Sequence, residues 1–469
     1  MFEQFGVFYL NQDNGIVVIG CGAAGGTAAQ FARKTDRKSS ITIFEKGKYP
    51  QYSKCGLPYA ISGDVNNLDD LIEFSSEWFK NSNIDLLLNT TVEKIDVDNQ
   101  KIIARKENIT IEKSYFSLII ATGASPFVPP IQNIYENNKL VKGVYTLRTI
   151  DDAKEILLNI KKGKNVVIIG AGFIGLEMAD ALYKKGMKIT VVEALPRILP
   201  NIFDEDMAEI VYQAIPKNVE FFTNNIVTKI ESKSGSIHKI FIKNNKTDEV
   251  KEIQADILII GTGCKPDTSL AEKAGCKLGE KGHIIVNSKC ETSIKNIYAV
   301  GDCTEYKDFV TKKPVPIGLG SIAVRQGLTA GINAAGGNYE LPDGVLQSCT
   351  SEFFGIEVAG VGPSVVNLKQ LNLVSGKFTG YSRAGYFPGG KKITIKVFAD
   401  EKTGKIIAAH AVGDNAAKRI NTFACAILNN MDIETFRKLE TTYAPPIAPT
   451  LDAETLVCDI VSMKIKRKR

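Results

Sequence analysis

The sequence is poor in residues that build metal centres. Its 469 residues include one tryptophan and three histidines, His238, His283 and His410. Nine cysteines are scattered as Cys21, Cys55, Cys264, Cys276, Cys290, Cys303, Cys349, Cys425 and Cys458, with no CxxC pair. No Cys/His spacing suits zinc, so a structural zinc site is not expected. No apolar run approaches the roughly 20 residues of a membrane span. Met1 to Asn14 has no cationic start and does not read as a secretory signal. Scattered thiols without a disulfide framework fit a reducing, cytoplasmic setting. The formal charge is +6, but the last six residues, Lys464 to Arg469, carry five positive charges, and without them the body holds +1. A basic face for nucleic acid is therefore not indicated. The tail reads as a solvated, frayed end.

What the chain does have is apolar content and glycine. A 44% hydrophobic composition over this length supports two to four domains. Ile16–Ile19 is a β-branched run suited to a buried parallel strand, and it feeds Gly20-Cys21-Gly22-Ala23-Ala24-Gly25. A helical stretch follows from Thr27 to Lys34, then a strand at Ile41–Phe44 closed by Glu45. In such a unit Gly20 permits the tight turn, Gly22 admits a pyrophosphate, and Gly25 lets helix and strand pack. The helix start offers amide donors to phosphate, and Glu45 can accept from ribose hydroxyls. A Gly-rich turn with no ligand is the alternative.

The unit recurs about 150 residues later. Asn165–Ile169 runs into Gly170-Ala171-Gly172-Phe173-Ile174-Gly175, a helix around Leu176–Lys185, and a strand ending at Glu193. Two fingerprints predict two dinucleotide sites. A carboxylate at Glu193 repels a 2′-phosphate and argues for NADH over NADPH, with Arg197 nearby to soften that preference. Each unit is followed by a strand and Gly turn, Ala121-Thr122-Gly123 in the first and Gly261-Thr262-Gly263 in the second. The repeat is thus a whole domain. A further strand ends at Gly301-Asp302, where an acid can accept from a sugar or ribityl hydroxyl or simply cap a helix. A helix is expected over Gly320–Ala335. Beyond Gly337, strands at Leu346–Phe354, Ile356–Val361, Leu371–Thr379, Lys392–Ala399 and Lys405–Val412 precede helices at Ala416–Asn429 and Ile433–Leu439. This is an α+β domain.

Cys55 stands alone between Cys21 and Cys264, in Tyr52-Ser53-Lys54-Cys55-Gly56-Leu57-Pro58-Tyr59. A lone thiol downstream of a nucleotide loop is a candidate redox sulfur, although an inert buried thiol reads equally well from this stretch alone.

Taken together, these features resemble the pyridine nucleotide–disulfide oxidoreductases over about residues 15–455. The resemblance implies an α/β fold: two duplicated Rossmann-like domains, for FAD and NAD(H), and a C-terminal α+β dimerisation domain. It divides the chain into an FAD domain of residues 1–145 and 260–335, an NAD(H) domain of 146–259 and a C-terminal domain of 336–469. It implies FAD at the first fingerprint and NADH, with NADPH as the alternative, at the second. By the same resemblance the cofactor-binding set is Gly20, Gly22, Ala24, Gly25, Glu45, Lys46, Val92, Ala121, Thr122, Gly123 and Asp302, then Gly170, Gly172, Phe173, Ile174, Gly175, Glu193 and Gly263.

Disulfide-forming members of the family carry CxxxxC, whereas here residue 60 is Ala60. Cys55-Gly56-Leu57-Pro58-Tyr59 and Thr442-Tyr443-Ala444-Pro445-Pro446 look like the single-cysteine branch. That branch comprises coenzyme A disulfide reductases, NADH oxidases, NADH peroxidases and sulfur or polysulfide reductases. Its peroxidases place a histidine in the first Gly-rich loop, where this chain has Ala23 and Ala24. No histidine follows His410, so Tyr443, with Tyr386 as a second candidate, is the implied proton handler. An amphipathic surface tyrosine is the alternative for each.

The implied reaction passes hydride from NADH through FAD to a mixed disulfide on Cys55, with coenzyme A disulfide or a similar small disulfide as substrate. Exchange of this kind needs a thiolate of lowered pKa, and a helix start after Gly56 is the expected aid. Lys34, Arg37 and Lys54 are candidate partners for coenzyme A phosphates, or ordinary solvated cations. Reduction of O2 and reduction of persulfide or polysulfide are the alternative activities, and an inactive flavin-binding protein is a third class. A homodimer is implied, with Tyr443 acting on the partner's site. Cys458 reads as a buried or idle thiol.

Overall fold

The computed structural model describes residues 7–9 and 14–468. The N-terminal signal reading of Met1 to Asn14 rests largely on residues outside that range, as does Arg469 of the basic tail.

Four apolar strands build the first parallel layer. Asp85–Leu87, Ile41–Phe44, Gly15–Ile19 and Ile109–Ile120 lie side by side, and Ile297–Ala299 returns to pair with Leu118–Ile120. All five residues of Gly15–Ile19 are buried, as expected of a strand covered on both faces. Ile109–Ile120 is long enough to serve twice. Its second half sits in the parallel layer, while its first half pairs antiparallel with Lys101–Lys106 in a smaller flap.

The second layer repeats the plan with Val144–Thr146, Ile257–Ile260, Asn165–Ile169, Lys188–Glu193 and Glu220–Thr223, all parallel. A three-stranded antiparallel flap, Asn225–Lys233 to Val250–Gln254, follows as in the first unit. The two units are cross-braced. Ala124–Pro126 pairs antiparallel with Cys264–Pro266, Thr122 Oγ1 donates to Asp267 O (2.6 Å), and Thr262 Oγ1 donates to Phe127 O (2.6 Å). The duplicated Gly turns therefore lock each other.

The C-terminal unit is a five-stranded antiparallel sheet in the order Cys349–Phe353, Ile356–Val361, Ile406–Gly413, Lys392–Asp400 and Leu373–Tyr381. Helices Ala416–Leu428 and Ala453–Lys468 cover it. The second helix corrects the reading of the tail as a frayed end. Lys466 pairs with Glu434, Lys468 with Glu401, and Lys464 donates to Ser375 O. Cations in the last turn also suit a helix C-terminus. Cys458 is wholly buried on the same helix.

An ionic cluster ties this unit to the second. Lys396 bonds both Asp204 and Asp206, and Lys377 reaches Asp206. His410 is buried between Phe203 and Phe398, and burial pushes its pKa down to about 3, so it stays neutral.

Candidate functional site

The two glycine loops open into one cleft of about 1580 Å³, larger than the roughly 300–1,000 Å³ of a single-ligand site. The backbone requires glycine at two loop positions. Gly20 (φ +103°) and Gly170 (φ +100°) turn left-handed, and a side chain there would run into the carbonyls of Ala121 and Gly261. Gly25 and Gly175 do not line the cleft. A Cβ on either would collide with the carbonyl of Gly20 or Gly170, so they serve helix–strand packing.

Gly22 and Gly172 are different. A Cβ there would meet no protein atom within 4 Å, so their open side is the cleft. Each is the N-cap of a helix, Ala23–Thr35 or Phe173–Lys184, with no side-chain cap and no acid in the first turn. Both helix starts thus present uncapped amides to the cleft, which fits a dinucleotide pyrophosphate. Ala24, Lys46, Val92, Ala121, Thr122, Gly123, Phe173, Ile174, Gly263 and Asp302 line the same cleft.

The strand-end acids hold their own loops as well as facing the cleft. Glu45 accepts from the amides of Cys21 (2.7 Å) and Gly47 (2.6 Å). Glu193, nearly buried, accepts from Ala171 (2.7 Å) and Leu195 (2.8 Å). Two oxygens carry four acceptor positions, so each carboxylate retains capacity for a ribose. Arg197 is not directed at this point. Its Nε donates to Phe203 O and its Nη2 to Pro200 O, which fixes the turn after Glu193.

Cys55 stands in the short 3₁₀ turn Lys54–Gly56, ahead of the helix Leu57–Ser62. Leu57 and Ile61 lie one turn apart and bury into the core of the second unit beside Ile150, Leu176 and Ala179. That burial is worth about 1.5–3 kcal/mol per side chain and fixes where the thiol sits. Leu57 is N1 of that helix and Pro58, which lacks an amide hydrogen, its N2, so Pro58 starts the helix without cost. Sγ lies 3.9 Å from where a Cβ on Gly320 would be, at the start of the long helix Gly320–Ala334.

The sulfur is open to the cleft yet walled by protein. Burial raises its pKa, the carboxylates of Glu177 and Asp302 raise it further, and Arg148 opposes them. This differs from the expectation of a thiolate favoured by its surroundings, since burial and two carboxylates act against the single cation.

Asp302 Oδ2 is engaged by Arg148 Nη2 at 2.7 Å. Lys54 lines the cleft near Arg148, Glu45, Asp302 and Lys46, and burial followed by Arg148 lowers its pKa. It therefore belongs to the first nucleotide site and not to a separate surface. Lys34 lies 4.3 Å over the ring of Phe31, which also borders the cleft, and Arg37 is exposed on the chain that follows that helix.

Tyr386 and Tyr443 do not line this chain's cleft. They are exposed on the C-terminal unit with hydroxyls 2.9 Å apart. Sequence reading missed Arg148, Glu177 and Ser351, which carry no local motif of their own, and quoted Tyr59 in the Cys55 motif without giving it a role.

Comparison with known proteins follows the same outline. The pyridine nucleotide-disulphide oxidoreductase profile matches residues 14–327, and that family's dimerisation domain matches 349–454. The chain belongs to this family. It is similar to an NADH oxidase of Methanocaldococcus jannaschii, 38% identical over 460 residues, covering 96% of this chain and 99% of that protein. It is also similar to the structure of an NAD-dependent persulfide reductase from A. fulgidus, with 35% identity, TM-score 0.90 and coverage of 97% and 84%. Reduced Bacillus anthracis CoADR-RHD matches at 33% identity and TM-score 0.91, over 97% of this chain and 81% of that one. Among the described residues no helix is long and apolar enough to cross a membrane, and no cluster suits a metal ion.

Proposed function

We propose that this chain is an FAD-dependent NAD(P)H oxidoreductase that reduces a small disulfide at Cys55, coenzyme A disulfide or a close relative of it. The observation that carries this reading is one accessible thiol opening into a cleft that spans two dinucleotide loops. FAD bound along Gly20–Gly25, with Glu45, Lys46, Val92, Thr122 and Asp302, would supply the carrier between nicotinamide and sulfur. Gly170–Gly175 and Glu193 would hold the nicotinamide dinucleotide, with NADH preferred because the Glu193 carboxylate would repel a 2′-phosphate. This assigns residues 1–145 with 260–335 to FAD, 146–259 to NAD(H) and 336–469 to dimerisation.

The chain's own steps are sulfur chemistry. A Cys55 thiolate attacks the substrate disulfide, a new Sγ–S bond forms, and one thiolate departs. Tyr443, supported by Tyr386, protonates that leaving group from the partner subunit of a homodimer. Tyr386, Tyr443, Ile447 and Leu451 are exposed on the unit that matches a dimerisation domain, which supports that arrangement. Thr27, Phe31 and Lys34 share one face of the helix Ala23–Thr35, and the first two border the cleft, which suits an anionic adenine-nucleotide arm. Nine free cysteines fit a cytoplasmic protein.

Cys55→Ser should bind FAD normally and lose NADH-dependent disulfide reduction. Full turnover by that variant would refute the assignment. The A. fulgidus likeness favours a persulfide as the second reading. The M. jannaschii likeness favours O2 as a third. Parallel assays with persulfide and an oxygen electrode separate the three.

A further inference from the structure

Three parts of the chain meet at Ser351, behind the cleft that Cys55 lines. Glu177 comes from the second-fingerprint helix Phe173–Lys184, Ser351 from the C-terminal sheet strand Cys349–Phe353, and Tyr59 from the helix that follows Cys55. Ser351 Oγ donates to Glu177 Oε1 at 2.5 Å. The Tyr59 phenol lies against Ser351 and the Glu352 amide. Glu177 and Tyr59 both line the cleft with Cys55. Among the described residues no cation pairs with Glu177. Ser351 holds one of its oxygens, and burial raises its pKa against the lowering effect of Ser351.

Around the sulfur the charged groups are Glu177, Asp302 and Arg148, with Glu177 the strongest charge after burial itself. Asp302 is answered by its 2.7 Å ion pair with Arg148. Glu177 is therefore the uncompensated charge that faces the thiol.

We propose that Glu177 is a positioning residue that governs the proton of the Cys55 thiol, with Ser351 and Tyr59 fixing its carboxyl. Two acids in one low-dielectric site oppose a second negative charge. With Glu177 a carboxylate, ionising Cys55 releases its proton to solvent and puts a second negative charge in the same site, so the carboxylate keeps the thiol protonated to higher pH. This inference rests on the reading of Cys55 as the reacting sulfur. Its test reads alkylation and not turnover, so the two can fail separately.

The test is the pH profile of iodoacetamide alkylation of reduced holoenzyme, followed by mass analysis of the Cys55 peptide, since Cys264 and Cys425 are also exposed. Glu177→Gln keeps an acceptor for Ser351 and removes the charge. It should move the Cys55 inflection to lower pH and speed alkylation near pH 7 by about tenfold. Glu177→Asp should keep the wild-type inflection. Flavin absorbance reports whether the cleft is intact. An unchanged inflection in Glu177→Gln would overturn the proposal, as would equal shifts in the Gln and Asp variants.

Discussion

Tyr386 and Tyr443 face each other across 57 residues of sequence, their hydroxyl oxygens 2.9 Å apart on the exposed face of the C-terminal unit. The Tyr443 hydrogen bond raises the pKa of Tyr386, so Tyr386 stays protonated and able to donate well above neutral pH. Tyr443→Phe should lower the disulfide-reduction kcat by at least about tenfold, and Tyr386→Phe by less. Mixing Cys55→Ser and Tyr443→Phe subunits should restore part of the activity if the tyrosine serves the partner's thiol. Steady-state kinetics of the reassociated mixture would decide this, and absence of any recovery would place the tyrosine in its own subunit's reaction.

If the proposed assignment of Glu193 holds, its charge should set a nucleotide preference. Wild type should use NADH with a higher kcat/KM than NADPH. Glu193→Gln retains the acceptor for Ala171 and removes the like charge facing a 2′-phosphate. The NADPH/NADH ratio of kcat/KM should rise by about tenfold, a change of roughly 1.4 kcal/mol. Arg197→Ala should leave the ratio within about twofold, because its guanidinium serves the Pro200 and Phe203 carbonyls.

Lys396 is a single cation shared by Asp204 and Asp206 at the seam between the second and third units. Lys396→Met would leave two neighbouring carboxylates without their common partner. A loss of about 3 kcal/mol is expected in chemical denaturation, because breaking a largely buried pair from one side strands the other charge.

Glu454 is buried at the start of the last helix, and one oxygen finds no hydrogen-bond partner. Burial and then the Asp452 charge raise its pKa from 4.5 to about 7. The folded state therefore holds a proton that the unfolded chain gives up between those values. Its contribution is fully present below about pH 4.5 and is lost as pH rises through about 7, an effect of roughly 3 kcal/mol. Glu454→Gln should flatten the dependence of the unfolding midpoint on pH in that window, and a slope unchanged from wild type would contradict the assignment.

Much of this architecture was legible because its signals are local. Gly20–Gly25 and Gly170–Gly175 announce strand, turn and helix within a few residues, and the observed helices begin at Ala23 and Phe173. The strands of the C-terminal unit fall within two or three residues of the expected positions for the same reason. Helix Ala453–Lys468 was missed because its basic end mimics a solvated tail, and only packing on the strand Leu373–Tyr381 reveals it. The electrostatics of Cys55 were not legible at all. Glu177, Arg148 and Asp302 lie 93 or more residues away in sequence. Their nearness to the sulfur is a product of two units meeting, which no spacing encodes.

The most direct test of the central claim is the mass of Cys55 after the protein is mixed with coenzyme A disulfide in the absence of NADH. A coenzyme A mixed disulfide on the Cys55 peptide, removed by thiol reductant and absent from Cys55→Ser, is the predicted result. An unmodified Cys55, or an adduct confined to another cysteine such as Cys264, would contradict it.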